Sequence, residues 1–376
     1  MIFYLDNAAT TRTYPVAAES MAKVMTEDYG NPSSLHPMGL RAAALVGKSR
    51  SIVAEALGCL PEELIFTSGG TESDNWALFG TAQGRRRGHI ITTAVEHSAV
   101  LNTAKELEGR GFEVTYLPPD DDGGVSAGAV EQALREDTFL VSAMMVNNET
   151  GAVTKIPEIA EVLRRKGSGA LLHTDAVQGF LKVPFSAKDL GADLISVSAH
   201  KIGGPKGIGA LYIREGVRLR PLIFGGGQEG GLRPGTEATA QIAGFAAACR
   251  YGKEHLEEHI RVMEALKAYT LERLASEVPE AKRIGRGGAP HILSISLPGY
   301  PSETLVRFLG EEGVCVSAGS ACHKGKPSHV IAAMKLPPKT AKGAIRVSFC
   351  PENTREDIDA FCRALKKAKE TLLPAR

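Results

Sequence analysis

Charge of one sign is missing from this 376-residue chain: 44 lysines and arginines stand against 43 aspartates and glutamates, a formal net charge of +1. So even a balance leaves no electrostatic case for a nucleic-acid or anionic-membrane partner. The one basic cluster, Arg85-Arg86-Arg87, falls between an apolar segment and the strand-like His89-Ile-Ile-Thr-Thr93 and reads as a solvated turn. Long hydrophobic runs are missing too, since no stretch approaches the ~18 apolar residues that a membrane-spanning helix needs. The opening Met1-Ile-Phe-Tyr-Leu-Asp6 carries neither the basic region nor the long apolar region of a secretory signal. A cytoplasmic location is therefore expected. Cysteine is scarce, at six residues with no C-x-x-C pair, which excludes a disulfide framework and a zinc knuckle. Cys59, Cys249 and Cys362 sit in helix-like runs, and Cys315 and Cys350 lie in or beside strand-like ones. These five read as small buried hydrophobes.

What the chain has is length for a large core and a repeated strand–helix pattern from about residue 50 to 215. The expected strands are Leu64–Thr67, His89–Thr93, Glu113–Leu117, Leu140–Val146, Ala170–Asp175, Asp193–Ser198 and Gly209–Ile213. Helical spacing fills the gaps, as in Ile156–Lys166 and Val125–Glu136. Such units predict an α/β fold with a mainly parallel sheet covered on both faces, and with ligands at the carboxyl ends of its strands. After the glycine-rich Phe224–Thr236, one long helical segment is expected over Thr236–Ser276, followed by a smaller α+β unit containing His291–Ser296, Val314–Ser317 and Ala344–Phe349.

Four constellations carry chemistry. In Ser196-Val-Ser-Ala-His-Lys201 an apolar strand runs into a lysine and then a glycine-rich bend; desolvation there would depress the amine's pKa and make it a Schiff-base nucleophile. Most lone lysines are surface residues, and no P-loop frame is present. Asp175 closes the buried strand Leu171–Asp175, where a carboxylate needs a cationic partner; a protonated pyridine nitrogen would be one, and a helix-capping role is the alternative. At Leu64-Ile-Phe-Thr-Ser-Gly-Gly-Thr71 a strand enters a glycine turn and a helix begins, which suits a phosphate. Cys322 lies in Ser320-Ala-Cys-His-Lys-Gly-Lys326, small loop-forming sequence with positive charge close behind, conditions that favour thiolate. Two other patterns carry nothing. His255-Leu-Glu-Glu-His259 matches an inverted zinc-peptidase motif but sits in a charged helical run and reads as a solvated helix face. Asp120-Asp-Asp-Gly-Gly124 after two prolines reads as a turn, not a calcium loop.

In this order, these elements resemble the cysteine desulfurases of the aminotransferase class V superfamily. The resemblance covers nearly the whole chain, from Tyr4-Leu-Asp-Asn-Ala-Ala-Thr-Thr11 and Tyr29-Gly-Asn-Pro-Ser-Ser34 through Glu96-His97, Val146-Asn-Asn-Glu-Thr-Gly151, Ser198-Ala-His-Lys201, Gly225-Gly-Gly-Gln-Glu229 and Arg233-Pro-Gly-Thr236 to Ser320-Ala-Cys322 and Ala344-Ile-Arg-Val-Ser348. Each piece is weak alone; the ordered set is specific. It implies the pyridoxal-phosphate-dependent transferase fold of type I, with a large cofactor-binding α/β domain over 14–255 and a small α+β domain made of 1–13 and 256–376.

The same resemblance implies roles at matching positions. Lys201 would carry pyridoxal 5′-phosphate, Asp175 would pair with the ring nitrogen, Gln178 with the ring hydroxyl, and His97 would stack on the ring and assist proton transfer. Gly70, Thr71, Ser198 and His200 would hold the phosphate, with Thr236 reaching in from a second subunit of a homodimer. Asn148 and Arg346 would bind the substrate, Arg346 by its carboxylate. Cys322 would attack the sulfur of L-cysteine, leaving alanine and a persulfide for an acceptor protein. Gly70 stands where this family often has alanine, and Pro234 where serine is common. The stretch Cys322–Pro327 is shorter than in housekeeping iron–sulfur desulfurases, which leaves the acceptor open between an iron–sulfur scaffold and an enzyme of tRNA or cofactor thiolation. Another class V enzyme, an aminotransferase or selenocysteine lyase, would share Lys201 and Asp175, and Cys322 discriminates against transamination.

Overall fold

The computed structural model describes residues 1–318 and 328–374. Its largest layer is a seven-stranded sheet built from β2 (Leu64–Thr67), β3 (His89–Thr93), β4 (Glu113–Leu117), β5 (Thr138–Ser142), β6 (Leu171–Asp175), β7 (Leu194–Ser198) and β8 (Gly209–Ile213), following the short β1 (Phe3–Tyr4). The spatial order is β2-β8-β7-β6-β5-β3-β4, and β8 alone runs against the others. All residues of β2, β3, β5, β7 and β8 are buried. That is why these strands read as short continuous apolar or threonine-rich runs instead of alternating ones. Hydrophobic clusters pack on both sides of the sheet, one around Phe66, Ile91 and Val197, the other around Trp76, Ile90 and Leu194.

A second unit forms around β9 (Lys282–Arg283), β10 (Ile292–Ser296) and β12 (Ala344–Ser348), an antiparallel sheet of order β12-β10-β9. Between them, β11 (Val314–Cys315) pairs in parallel with β1. The chain's first residues therefore join its last third, and Asp6 bridges to Ser348. This unit has its own core of Leu5, Leu293, Ile345, Phe349, Phe361 and their neighbours.

Five sequence expectations change. The strand expected over Leu140–Val146 is β5, Thr138–Ser142; beyond it the chain leaves the ladder for a turn closed by Val146 and Val153. The single helix expected over Thr236–Ser276 is two, Thr239–Glu254 and Leu256–Glu277, with His255 at the break, where its Nδ1 lies 2.9 Å from the Tyr251 carbonyl. The solvated face expected at His255–His259 is only half right: Glu257 and Glu258 are exposed, but His259 is buried against Tyr14 and Tyr251. Cys59 lies past the left-handed cap Gly58 and outside any helix, and Val125–Glu136 is helical only over Ala127–Ala133. Arg85–Arg87 and Asp120–Gly124 are irregular turns, as expected. Among the described residues no helix is long and apolar enough to cross a membrane.

One ion pair ties the glycine-rich segment to the sheet. Glu229, 9% exposed, receives both Arg50 terminal nitrogens, at 2.7 and 2.6 Å, and the Phe66 amide at 3.0 Å. Truncating one member strands a buried charge, so Glu229→Ala should destabilise the protein by on the order of 3 kcal/mol. Glu229→Gln, which keeps the shape, should lose less. Chemical unfolding midpoints of the two variants check the order.

Candidate active site

Five strands of the large sheet end on one edge, and the segments leaving them carry the chemistry. Their side chains line a single cavity of about 530 Å³ that contains Gly70, Thr71, His97, Asn148, Asp175, Gln178, Ser198, His200, Lys201 and Arg346. These side chains come from β2, β3, β5, β6 and β7 and from β12 of the second sheet. Convergence at the carboxyl edge follows from parallel strands sharing one direction.

At the end of β7 one turn, Ala199–Lys201, swings the lysine into the cavity. Its Nζ donates to the carbonyls of Ala8 and Ala9 at 2.7 and 2.8 Å. Those carbonyls belong to the N-terminal segment, which Gln178 Nε2 also grips through Ala8 at 2.8 Å. Burial pushes the Lys201 amine down to about 7, with the Arg346 charge acting in the same direction. Asp175, 4% exposed at the end of β6, accepts the Val177 amide at 2.9 Å. Burial raises its pKa, and the nearby His97 and Lys201 oppose the rise. His97 caps the helix Ser98–Gly109 by accepting the Ala99 amide on Nδ1 at 3.2 Å, so Nε2 is the nitrogen available to the cavity.

Asp74 was not visible as a site residue in the sequence. It lines the same cavity at 1% exposure, and its Oδ1 has no hydrogen-bond partner among the described residues. Burial and the neighbouring Asp175 raise its pKa well above the usual range. Ligand atoms of Asp74, His97 and Asp175 lie within 4.8 Å of one another. The available signal was its spacing: Asp74 follows Gly70 by four residues on the helix Gly70–Ala82 and so shares its face.

The other end of the cavity is built for an anion. The helix Gly70–Ala82 points its first amides at it. The turn is crowded: a Cβ on Gly70 would meet Val177 Cγ2 at 2.8 Å, and one on Gly209 would meet Gly69 Cα at 2.7 Å. Glycine at 70 thus keeps Val177 in place. Ser198 and His200 face the same space; burial holds His200 neutral, with a pKa of about 4, and its Nδ1 lies 3.2 Å from the Thr10 hydroxyl. Opposite, Arg346 reaches over from β12 and donates to the Asn148 carbonyl at 2.7 Å and to Asp6 at 2.8 Å, with Nε buried and unpartnered. Gln178 meets His291 Nε2 at 3.2 Å on its oxygen side. Thr236 is exposed and does not line the cavity of its own chain, although Arg233 ties its segment to Glu72 at 2.9 Å. Cys322 lies outside the described residues.

A buried amine at the strand edge, a carboxylate for a ring cation and a helix start for a phosphate fit pyridoxal phosphate, and together they define the class of type I pyridoxal-phosphate enzymes. The aminotransferase class-V model matches residues 3–361. The chain is 42% identical over 372 residues to cysteine desulfurase IscS of Clostridium botulinum strain Kyoto, covering 97% of this chain and 93% of that protein. It is also 42% identical to cysteine desulfurase IscS of Methanosarcina thermophila, over 98% of this chain and 92% of the relative. Among solved structures, a NifS-like protein superposes with a TM-score of 0.93 at 41% identity, covering 99% of this chain and all of the other. A structure described as SspA in complex with cysteine gives 0.82 at 36% identity, covering 93% and 99%. The chain belongs to the aminotransferase class-V family, in its cysteine desulfurase branch, and its cofactor is pyridoxal phosphate.

The Lys201 amine sets a pH signature in the cofactor-free protein. An unfolded lysine holds its proton to about 10.5 and this one to about 7. The cost of burying it is therefore absent above 10.5, grows as pH falls, and is complete below about 7. Borohydride-trapped pyridoxyl labelling of Lys201, mapped by mass spectrometry against pH, should rise with a midpoint near 7. A midpoint near 10 would mean that the amine is solvated.

Proposed function

We propose that the chain converts L-cysteine to L-alanine and receives the released sulfur on Cys322. The observation that carries this reading is the shared cavity. It sets the Lys201 amine near the buried Asp175 carboxylate, and Ser317, five residues before Cys322 in sequence, stands on its wall. Five residues span at most about 18 Å.

In this reading Lys201 would hold the cofactor, Asp175 would keep a proton on the ring nitrogen, Gln178 would bond the ring hydroxyl and His97 would pack on the ring. Gly70, Thr71, Ser198 and His200 take the phosphate. Pyridoxal phosphate, when bound, supplies the electron sink that makes a Cα proton removable. Arg346 and Asn148 orient the amino acid, and the unpartnered Arg346 Nε remains free for its carboxylate. The Lys201 amine would take the Cα proton and later return it to Cα, which a depressed pKa suits. The Cys322 thiolate would attack the substrate sulfur. The bond from sulfur to Cβ would break with its electron pair left on the carbon side, a proton added at Cβ and the one returned to Cα would complete alanine, and Cys322 would retain the sulfur as a persulfide.

We further propose the division of the chain into 14–255 and the pair 1–13 with 256–376. Separate apolar cores around the two sheets support it. A cytoplasmic homodimer fits the exposure of Thr236 and of Phe224, 78% exposed; the second copy would bring Thr236 to the phosphate. Sulfur would pass to an iron–sulfur scaffold or a thiolation enzyme.

Cys322→Ser should keep the visible absorption of the bound cofactor and still respond spectrally to L-cysteine, while alanine release falls by more than about a hundredfold. Mass spectrometry of the unmodified protein after brief reaction should find one added sulfur on the Cys322 peptide. Normal alanine release by the serine variant would refute the mechanism. For the dimer, mixing inactive Lys201→Ala with inactive Thr236→Ala under subunit exchange should restore part of the activity, because one site in each hybrid is free of both changes. No recovery despite exchange would place Thr236 in its own subunit's chemistry.

A further inference from the structure

Behind the turn that carries Lys201 lies a second, smaller cavity, lined in part by Thr11 and Ile202. The Thr11 hydroxyl donates to the His200 carbonyl at 2.9 Å and accepts the Gly203 amide at 2.8 Å. Lys182 enters this cavity from the segment after β6. It is 5% exposed, and among the described residues it makes no hydrogen bond and no ion pair. A buried ammonium without an acceptor is costly, and proteins resolve it by deprotonation or by a counter-ion.

The rest of the lining favours a counter-ion. His259, 7% exposed, turns its ring to the cavity, and so does Tyr14; neither the ring nitrogens nor the phenol has a hydrogen-bond partner among the described residues. Lysine and tyrosine both offer protons there, and a histidine ring offers one in any tautomer. Arg12 adds a second cation at the edge. The single carboxylate on the lining, Glu352, is exposed and forms no ion pair with Lys182. The backbone is also bent to deliver this lysine: Leu181, just before it, sits at φ +52°, a left-handed conformation that a leucine adopts only under constraint. The space is about 20 Å³, room for one water or one monatomic ion.

We infer that this cavity binds one small monovalent inorganic anion of the halide class, held by the Lys182 ammonium with His259 and Tyr14 as further donors. The site is separate from the cofactor cavity and coupled to it by charge. Lys182 is one of the positive groups that lower the proton affinity of Lys201, so an anion beside it raises that affinity.

The test compares melting temperatures of the holoenzyme in sodium chloride, sodium bromide and sodium gluconate at equal ionic strength. Chloride and bromide should each raise the midpoint above gluconate in a saturable manner, and Lys182→Met should erase the difference between the salts. Bromide-soaked crystals of the unmodified protein should give an anomalous peak beside Lys182 Nζ, a readout that does not depend on the variant folding. Equal midpoints in all three salts, or a water with no bromide signal beside Lys182, would overturn the inference.

Discussion

Desolvation at the carboxyl edge of the sheet is the constraint on which the rest of the molecule depends. Two carboxylates, Asp175 and Asp74, are withdrawn from water and an amine, Lys201, is half-buried beside them within one cavity. Burial alone pushes the lysine toward its neutral form and the acids toward theirs. The seven strands supply the rigidity needed to hold such groups against their preference for water.

Support for that edge comes from the opposite end of the chain. The carbonyls that receive Lys201 belong to Ala8 and Ala9, and this segment is pinned by Asn7 to the Ser348 carbonyl at 3.0 Å and by β1 to β11. Arg346, two residues before that anchor on the same strand, spans back to Asn148 and Asp6. Groups mounted on two different sheets thereby meet over one cavity. The same seam creates the small chamber around Lys182, His259 and Tyr14, which uses surfaces of both units for a different ligand. The exit of the 319–327 segment is tied down as well, with the Ser328 hydroxyl 2.5 Å from Glu149 and His329 Nε2 2.8 Å from the Glu96 carbonyl.

Much of this was legible in the linear chain because its signals are local. A strand of buried residues ending in Asp175 or running into His200-Lys201 is written in consecutive positions, as is the glycine turn before Thr71, and neighbours in sequence are neighbours in space there. The strand order, the direction of β8 and the joining of β1 to the last third of the chain are not local, since they depend on which surfaces meet after collapse. His259 illustrates the difference: charged flanking residues made its helix read as solvated, and only packing against Tyr14 and Tyr251 decided that one face of it is interior. Asp74 was passed over for the same reason, because a helical aspartate looks soluble until a second carboxylate is brought beside it.

The sequence by itself determined the alternation of strands and helices, the fold class and the family, because each rests on residue order and short-range pattern. Only the tertiary structure decided that Arg346 and Asn148 face the cavity together, that Gly70 leaves room for Val177, and that Lys182 has no hydrogen bond or ion pair among the described residues. Those facts depend on distances between residues up to 198 positions apart, as between Arg346 and Asn148, and on the loss of water around them. Burial is a property of the whole packed chain, and the pKa of a group follows its burial more closely than its name.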